Sequence, residues 1–310
     1  MKDLGYDVLL SNRIFDSLLF WKYDILFSYF YRYSFFAALL AKCFGKKTYF
    51  TGGIDSLDSD YASAFNYKIQ ALFFKLCYWV ADSCIIVSQS DLKNIFKVSS
   101  LKKKLSYSEH VINTKLFIAD VPKEKIFTSI VWMGDEGNVV RKGVDKALQI
   151  FAELKKIPEF VDYRFVIIGR KGEGEVLVRS IIDKYNLKGS VELKGEVSEE
   201  DKINLLKQSK YYFQLSLYEG FGLAALEALC ANNIIIHSGK GGLANPIYKE
   251  QLLFDIDNDF DSELLKLVNK LACFTPITSY DNLLEYYDIQ RRKDDFEAII
   301  VNGKSNYKLK

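Results

Sequence analysis

Short apolar runs of strand length alternate with longer helical segments from one end of the chain to the other, and this alternation leaves few folds open. Strand-like runs fall near residues 6–11, 24–28, 46–51, 83–88 and 105–112, with helical periodicity near 33–44, 64–80 and 89–97. The pattern repeats with strands near 128–133, 164–168, 190–194, 211–216 and 234–238, and helices near 143–155, 175–186, 198–208, 223–231 and 261–272. Strand, helix and strand in succession close as a parallel sheet covered by helices. Two such series in 310 residues exceed what one core usually organises. The polar, proline-bounded stretch 122–125 separates them. We therefore expect an α/β protein with one domain over 1–124, a second over 125–290, and a C-terminal helix or tail over 291–310.

Composition narrows the function classes. A formal net charge of +2 gives no electrostatic support for nucleic-acid binding. Cys43, Cys77, Cys84, Cys230 and Cys273 are scattered without a CxxC pair, and the chain has only two histidines, His110 and His237. Free thiols in a reducing cytosol, and no metal site, are expected. No apolar run is long enough to span a bilayer: Ser34–Ala41 is closed by Lys42, and Phe73–Val87 is interrupted by Lys75 and Asp82. Residues 1–120 nevertheless carry 15 Lys/Arg against 11 Asp/Glu, with Phe15, Phe20, Trp21, Phe30, Tyr31, Tyr33, Phe35 and Phe36 among them. A basic, aromatic face suits peripheral contact with the inner face of a cell membrane, and the same aromatics at helical spacing suit a core. Both readings stay open.

The stretch Ser216-Leu-Tyr-Glu219-Gly220-Phe221-Gly222-Leu223-Ala-Ala-Leu-Glu227 carries the most chemistry. Tyr211–Leu217 reads as a strand, Gly220 and Gly222 permit a sharp turn, and Leu223–Leu229 consists of strong helix formers. Glu219 then sits at the C-terminal end of a strand, with unpaired helical N–H groups beyond it. In open α/β sheets ligands bind in that crevice, where a helix N-terminus suits a diphosphate. Nearby carboxylates suit sugar hydroxyls.

This block is joined, in order, by Ile130-Val-Trp-Met-Gly134, Arg141-Lys142-Gly143-Val-Asp145, Phe165–Gly169, Val191–Gly195 and Gly241-Gly242. Together they resemble the C-terminal domain of retaining glycosyltransferases of the GT-B fold, the glycosyl transferases group 1 family, over about residues 125–255. The resemblance implies two doubly wound Rossmann-like domains facing across a cleft, the first on the acceptor side and the second holding the donor. It implies metal-independent transfer of a hexosyl-type sugar, with retention, from a nucleoside diphosphate sugar to a saccharide or lipid-linked acceptor in surface polysaccharide synthesis. No cofactor beyond the donor is implied. Lys142 would neutralise the leaving diphosphate, Glu219 would hold donor-sugar hydroxyls and Glu227 the ribose hydroxyls. Arg141, Gly134, Gly169, Gly220, Phe221, Gly222 and Leu223 would line the donor site.

Three features depart from that family's pattern. Gly134 is followed by Asp135-Glu136 where the family usually has arginine. A carboxylate about 6 Å from a phosphate charge costs roughly 3 kcal/mol at an effective dielectric near 20, so either Arg141 replaces the missing cation, Asp135 points away, or donor binding is impaired. Thr51-Gly52-Gly53-Ile54-Asp55 stands where a histidine is often found, which makes Asp55 a candidate acceptor-side base or a turn-capping carboxylate. Finally, Leu4–Leu10 resembles the second strand of such enzymes, so the first strand and glycine-rich loop are expected to be missing, with a partner chain as one way to complete the N-terminal domain. The alternative reading is a catalytically weak nucleotide-sugar-binding protein that works with a partner chain.

Overall fold

A computed structural model describes residues 1–52, 54–100, 102–118, 121–274 and 281–303. Gly53 of the expected Gly-Gly turn and residues 304–310 of the expected tail lie outside the described residues. The chain divides into two compact units, one formed by Met1–Val111 with Asp288–Lys310 and one by Ile112–Tyr287.

The first unit opens with irregular chain and a short helix, α1 (Ile14–Ser17). Residues 6–11, expected as a strand, form none, and Leu9 and Leu10 are exposed, so this apolar run contributes no sheet face to the core. Then follow β1 (Ile25–Ser28), α2 (Tyr31–Cys43), β2 (Lys47–Thr51), α3 (Ala64–Val80), β3 (Ser83–Ile86), α4 (Gln89–Val98) and β4 (Leu105–Tyr107). All pairings are parallel, in the order β1-β2-β3-β4. Right-handed crossovers that always step to the next strand place every helix on one face. The side chains obey this: Phe50, Cys84 and Ile86 pack with Tyr31, Phe35, Phe74 and Ile95 of the helices, whereas Tyr49 and Ile85 face the other way. Ser63 and Ser88 start α3 and α4 by accepting from the N–H groups of Asn66 and Asp91.

The second unit contains β5 (Glu124–Ile130), α5 (Glu136–Arg141), α6 (Val144–Leu154), β6 (Arg164–Ile168), α7 (Glu175–Lys184), β7 (Val191–Gly195) and α8 (Glu199–Gln208). It continues through β8 (Ser209–Gln214), α9 (Leu223–Cys230), β9 (Ile234–His237), β10 (Leu252–Leu253), α10 (Phe260–Cys273) and α11 (Asp281–Tyr286). Its parallel sheet has the order β10-β9-β8-β5-β6-β7. The chain builds outward from β5 to β7, then returns to the other side of β5 with β8. Helices consequently cover both faces: α6, α7 and α10 pack on Phe127, Phe165 and Phe213, while α8 and α9 pack on Tyr212 and Ile235. Phe127 stacks on Tyr211 and Phe213 at ring centroid distances of 4.6 and 5.1 Å, which locks β5 to β8 at the point where the strand order reverses.

After α11 the chain returns to the first unit as α12 (Ile289–Phe296), which passes into a π turn, Glu297–Val301. Ile299 and Ile300 bury against Tyr49 and Ile85 and so cover the sheet face that α2 to α4 leave open. Arg292 fixes this segment by donating to Glu109 O at 2.7 Å and His110 Nδ1 at 3.1 Å. The units therefore meet in sequence at 111/112 and 287/288, against 124/125 and 290/291 expected from composition. The shift follows from pairing: Ile112 N donates to Tyr287 O at 3.0 Å, so both crossing points belong to the same unit.

The 122–125 stretch is also more than a linker. Glu124 begins β5, and the Lys123 ammonium donates to Ala231 O at 2.6 Å, Lys207 O at 2.8 Å and Leu206 O at 3.4 Å. It thereby caps the C-terminal ends of α8 and α9, where carbonyls lack helical partners. Its burial lowers its pKa to about 8. Replacing Lys123 by Met is expected to cost about 1–3 kcal/mol of stability by urea denaturation. Lys125→Met, which removes an exposed pair with Asp162, should stay within about 0.5 kcal/mol.

Candidate active site

Ligands in doubly wound sheets bind beyond the carboxyl ends of the strands where the order reverses, here β5 and β8. The segments leaving those two strands are joined by an unusually close backbone approach. Gly143, the N-cap of α6, has φ +69°, and a Cβ there would lie 2.0 Å from Leu215 O. Only glycine fits. Two residues before it, Arg141 O accepts from Leu217 N at 2.8 Å, so the end of α5 is stitched to the end of β8.

That stitch delivers Lys142 to Glu219. The Lys142 Nζ lies 2.6 Å from Glu219 Oε1, and both side chains are largely buried. The same oxygen accepts from Ser216 Oγ at 2.7 Å and Gln214 Nε2 at 2.8 Å. Gln214 is itself held: its Nε2 also donates to Ser216 Oγ at 2.8 Å, and its Oε1 accepts from Tyr212 OH at 3.1 Å. Ser216, Gln214 and Tyr212 are all buried. Among the described residues no hydrogen bond reaches Glu219 Oε2, so one carboxylate oxygen is fixed by the protein and the other remains to accept from a ligand. Fixing a carboxylate through one oxygen preorganises the other.

The loop beyond Glu219 is shaped by a second close approach. Gly242 N donates to Glu219 O at 2.6 Å, and a Cβ on Gly241 would lie 2.2 Å from that same oxygen. Gly220 is half-buried, Phe221 is buried against Tyr287, and Gly222 at φ +89° starts α9 without a side-chain cap. Leu223 follows as an exposed residue. No acidic residue lies in the first turn of α9, so its N-terminal dipole is uncompensated.

One turn along α9, Glu227 pairs with Lys202 of α8 at 3.0 Å, and Lys202 also reaches Glu199 at 2.8 Å. Burial raises the Glu227 pKa, an effect that Lys202 opposes. On the β5 side, Asp135 is an exposed N-cap of α5, its carboxylate accepting from Asn138 N at 2.6 Å. Arg141 turns back on its own helix, donating to Asn138 Oδ1 at 2.6 and 3.2 Å. Of the three outcomes left open for Asp135 and Arg141, the geometry has the aspartate engaged locally and the arginine not aimed at the Lys142–Glu219 pair. Gly134 ends the segment after β5, and Gly169 lies so close to Val131 O that a Cβ would have no room. Asp55 belongs to the first unit, where it opens the 3-10 turn Asp55–Leu57 after β2 with its side chain exposed. Among the described residues no group of three or more His, Cys, Asp or Glu is placed to hold a metal.

Residues 137–271 match the family described as glycosyl transferases group 1, with the Lys142–Glu219 pair inside the matched segment. The match to the glycosyl transferases group 1 family therefore covers this segment of the second unit, 137–271 of the 310 residues. The chain is 32% identical over 163 residues to a GDP-mannose:cellobiosyl-diphosphopolyprenol alpha-mannosyltransferase of Xanthomonas oryzae, a match covering 46% of this chain and 40% of that enzyme. It is 27% identical over 129 residues to the phosphatidylinositol N-acetylglucosaminyltransferase GPI3 subunit of Saccharomyces cerevisiae, covering 42% of this chain and 28% of that protein. The matches thus span less than half the length of these relatives. Among solved structures, HepE of Anabaena in complex with UDP superposes with a TM-score of 0.69 at 13% identity, covering 91% of this chain and 79% of that one. Sucrose-phosphate synthase of Thermosynechococcus elongatus gives 0.66 at 21% identity, covering 91% and 72%. These likenesses are of fold, and the fold of the chain is of the GT-B type.

Four residues at the site were not singled out from the sequence: Gln214, Ser216, Lys202 and Asn138. Gln214 carried a signal, as a polar residue inside the apolar run Tyr211–Leu217. Lys202 carried none, because its partner lies on another helix. His237, by contrast, is buried under Tyr248, with its Nε2 3.2 Å from Tyr248 O and no partner on Nδ1 among the described residues. It is a core residue.

Gln214→Leu is expected to lower stability by about 1–3 kcal/mol, because it strips donors from a buried carboxylate and an acceptor from the Tyr212 hydroxyl; chemical denaturation reads this directly. A pH dependence follows from His237. Burial lowers its pKa from 6.5 to about 4, so the unfolded chain binds the proton first. Its contribution to stability is intact above pH 6.5 and is lost as pH falls from 6.5 toward 4, by about 1.4 kcal/mol per unit. A His237→Gln variant should show a correspondingly flatter stability curve across that window.

Proposed function

We propose that this chain transfers a hexosyl sugar, with retention and without a metal ion, from a nucleoside diphosphate sugar to a saccharide or lipid-linked acceptor. The observation that carries this reading is the Lys142–Glu219 pair at the strand-order reversal, beside the uncapped start of α9. The second unit offers a cation, a half-committed carboxylate and free helical N–H groups within one crevice. A diphosphate leaving group develops negative charge as the glycosidic bond breaks, and Lys142 together with the α9 N-terminus neutralises it. Lys142 is only 2.6 Å from Glu219, so it exchanges an intramolecular carboxylate for the phosphate when the donor enters. Glu219 Oε2 then accepts from the donor-sugar hydroxyls.

Glu227, one turn into α9, receives the ribose hydroxyls in this reading, with Lys202 opposing the rise that burial causes in its pKa. Gly220, Phe221, Gly222 and Leu223 contribute main-chain N–H groups, and Gly134, Arg141 and Gly169 frame the β5 side. Attack from the face the phosphate leaves lets that phosphate take the acceptor's proton, which requires no protein nucleophile. Asp55, in the first unit, is the acceptor-side candidate, either accepting a hydrogen bond from a hydroxyl or acting as a base. The name of the Xanthomonas relative, with its polyprenol-linked acceptor, supports a lipid-linked saccharide and a place in surface polysaccharide synthesis. A second reading, a nucleotide-sugar-binding protein that works with a partner chain, is favoured by the yeast relative, whose name makes it one component of a larger transferase.

The test is thermal stabilisation by UDP, GDP, ADP, CDP and their sugar conjugates. One nucleotide is expected to raise the melting temperature, with stabilisation of about 2.7 kcal/mol at a hundred times its dissociation constant. Lys142→Ala should abolish this shift, whereas Glu219→Ala should weaken the response to the sugar conjugate more than to the bare nucleotide. A folded protein that responds to none of them would defeat the reading.

A further inference from the structure

The outer surface of α2 and α3 carries exposed aromatic residues. On α3, Phe65, Lys68, Leu72, Lys75 and Trp79 recur at spacings of three and four and are all exposed, forming one stripe along the helix. Phe65 and Trp79 are each 70% exposed and Leu72 54%. On α2, Tyr33 and Phe36 are 66% and 70% exposed, and Arg32 beside them is exposed too. The two helices lie side by side on one sheet face, touching through Phe35 and Phe73, whose ring centroids are 6.2 Å apart. Their inward faces already fill the core with Phe35, Ala38, Phe74 and Cys77, so the exposed aromatics are surplus to it.

Charge distinguishes what this face suits. Residues 25–54 and 61–81 contain no Asp or Glu, although the chain has 40 in 310 residues, and they hold six Lys/Arg. Lys42 and Lys46 are paired, with Asp82 at 2.7 Å and Asp24 at 2.9 Å. Arg32, Lys68 and Lys75 make no ion pair among the described residues. A second copy of the chain meeting this face symmetrically would set these three cations against their own counterparts. Aromatic rings interspersed with unpaired cations instead match the headgroup region of a bilayer, where Trp and Tyr settle and anionic lipids supply the missing charge. No helix among the described residues is long and apolar enough to cross a membrane, so contact would be from the surface.

We propose that the outer face of α2 and α3 docks on an anionic lipid surface. Phe36, Phe65, Leu72 and Trp79 enter the interface, and Arg32, Lys68 and Lys75 contact lipid phosphates. This rests on exposure and charge in the first unit, independently of sugar transfer.

The whole chain should sediment with vesicles of phosphatidylcholine and phosphatidylglycerol in equal parts, far less with phosphatidylcholine alone, and less as salt is raised. Tryptophan emission should shift to the blue on binding. Lys68→Glu/Lys75→Glu and, separately, Phe65→Ser/Leu72→Ser/Trp79→Ser should each weaken binding at least about tenfold, since one basic residue near an anionic surface contributes about fivefold. Because these side chains are exposed, the variants should melt as the parent does. Failure of the parent to bind anionic vesicles, or unchanged binding by both variants, would overturn the proposal. So would a parent that self-associates through this face, becoming monomeric in the triple variant, without binding vesicles.

Discussion

The site depends on one steric fact, the approach of the Gly143 backbone to Leu215 O. Any side chain at Gly143 would hold α6 away from the end of β8, and Lys142 would lose its line to Glu219. The contact is possible because β5 and β8 are neighbours in space although some 80 residues separate them in sequence, and they are neighbours because the chain doubles back after β7. Topology, one glycine and one backbone hydrogen bond from Leu217 to Arg141 together make the pair. A further glycine pair, Gly241-Gly242, then presses the Glu219 loop from β9's side.

Buried charge is handled in two ways in the second unit. Lys123 is satisfied by carbonyls at two helix ends, with no carboxylate partner among the described residues, and so serves packing. Among the described residues, Glu219 is satisfied on one oxygen only. The three donors on Oε1 belong to β8, the loop after it and the segment after α5, so they tie the carboxylate to the rigid sheet. A group fixed in this way loses little further freedom when a ligand arrives, which is the economy expected of a binding residue. Glu227 differs again, being countered by a lysine from the neighbouring helix.

The first unit has two unlike surfaces. One sheet face is closed by a segment from the far end of the chain, with Ile299 and Ile300 standing where a crossover helix would otherwise be needed. The other is closed by α2, α3 and α4, and the first two of these carry aromatic residues outward as well as inward. Helical periodicity reports a helix with one apolar stripe as a core element, so a helix with two stripes has to be resolved by seeing which side the sheet occupies.

Much of this was legible in the residues themselves. The alternation of strand and helix, the Gly-Phe-Gly turn after Tyr211–Leu217 and the Glu219 to Glu227 spacing are local, because propensity, periodicity and glycine act within a few residues. Those features sufficed for the α/β class, the GT-B likeness and most of the strands. They failed at residues 6–11, where an apolar run stays outside the sheet with Leu9 and Leu10 exposed, and at 122–125, where polar residues proved to be a helix clamp and the start of β5. Side-chain partnership was beyond their reach: Lys142 with Glu219, Gln214 behind it, Lys202 with Glu227, Asp135 on its own helix and His237 in the core. Hydrogen bonds and ion pairs act over about 3 Å between groups that chain connectivity does not relate. Local sequence determined the elements, and only the tertiary structure decided which of their side chains meet.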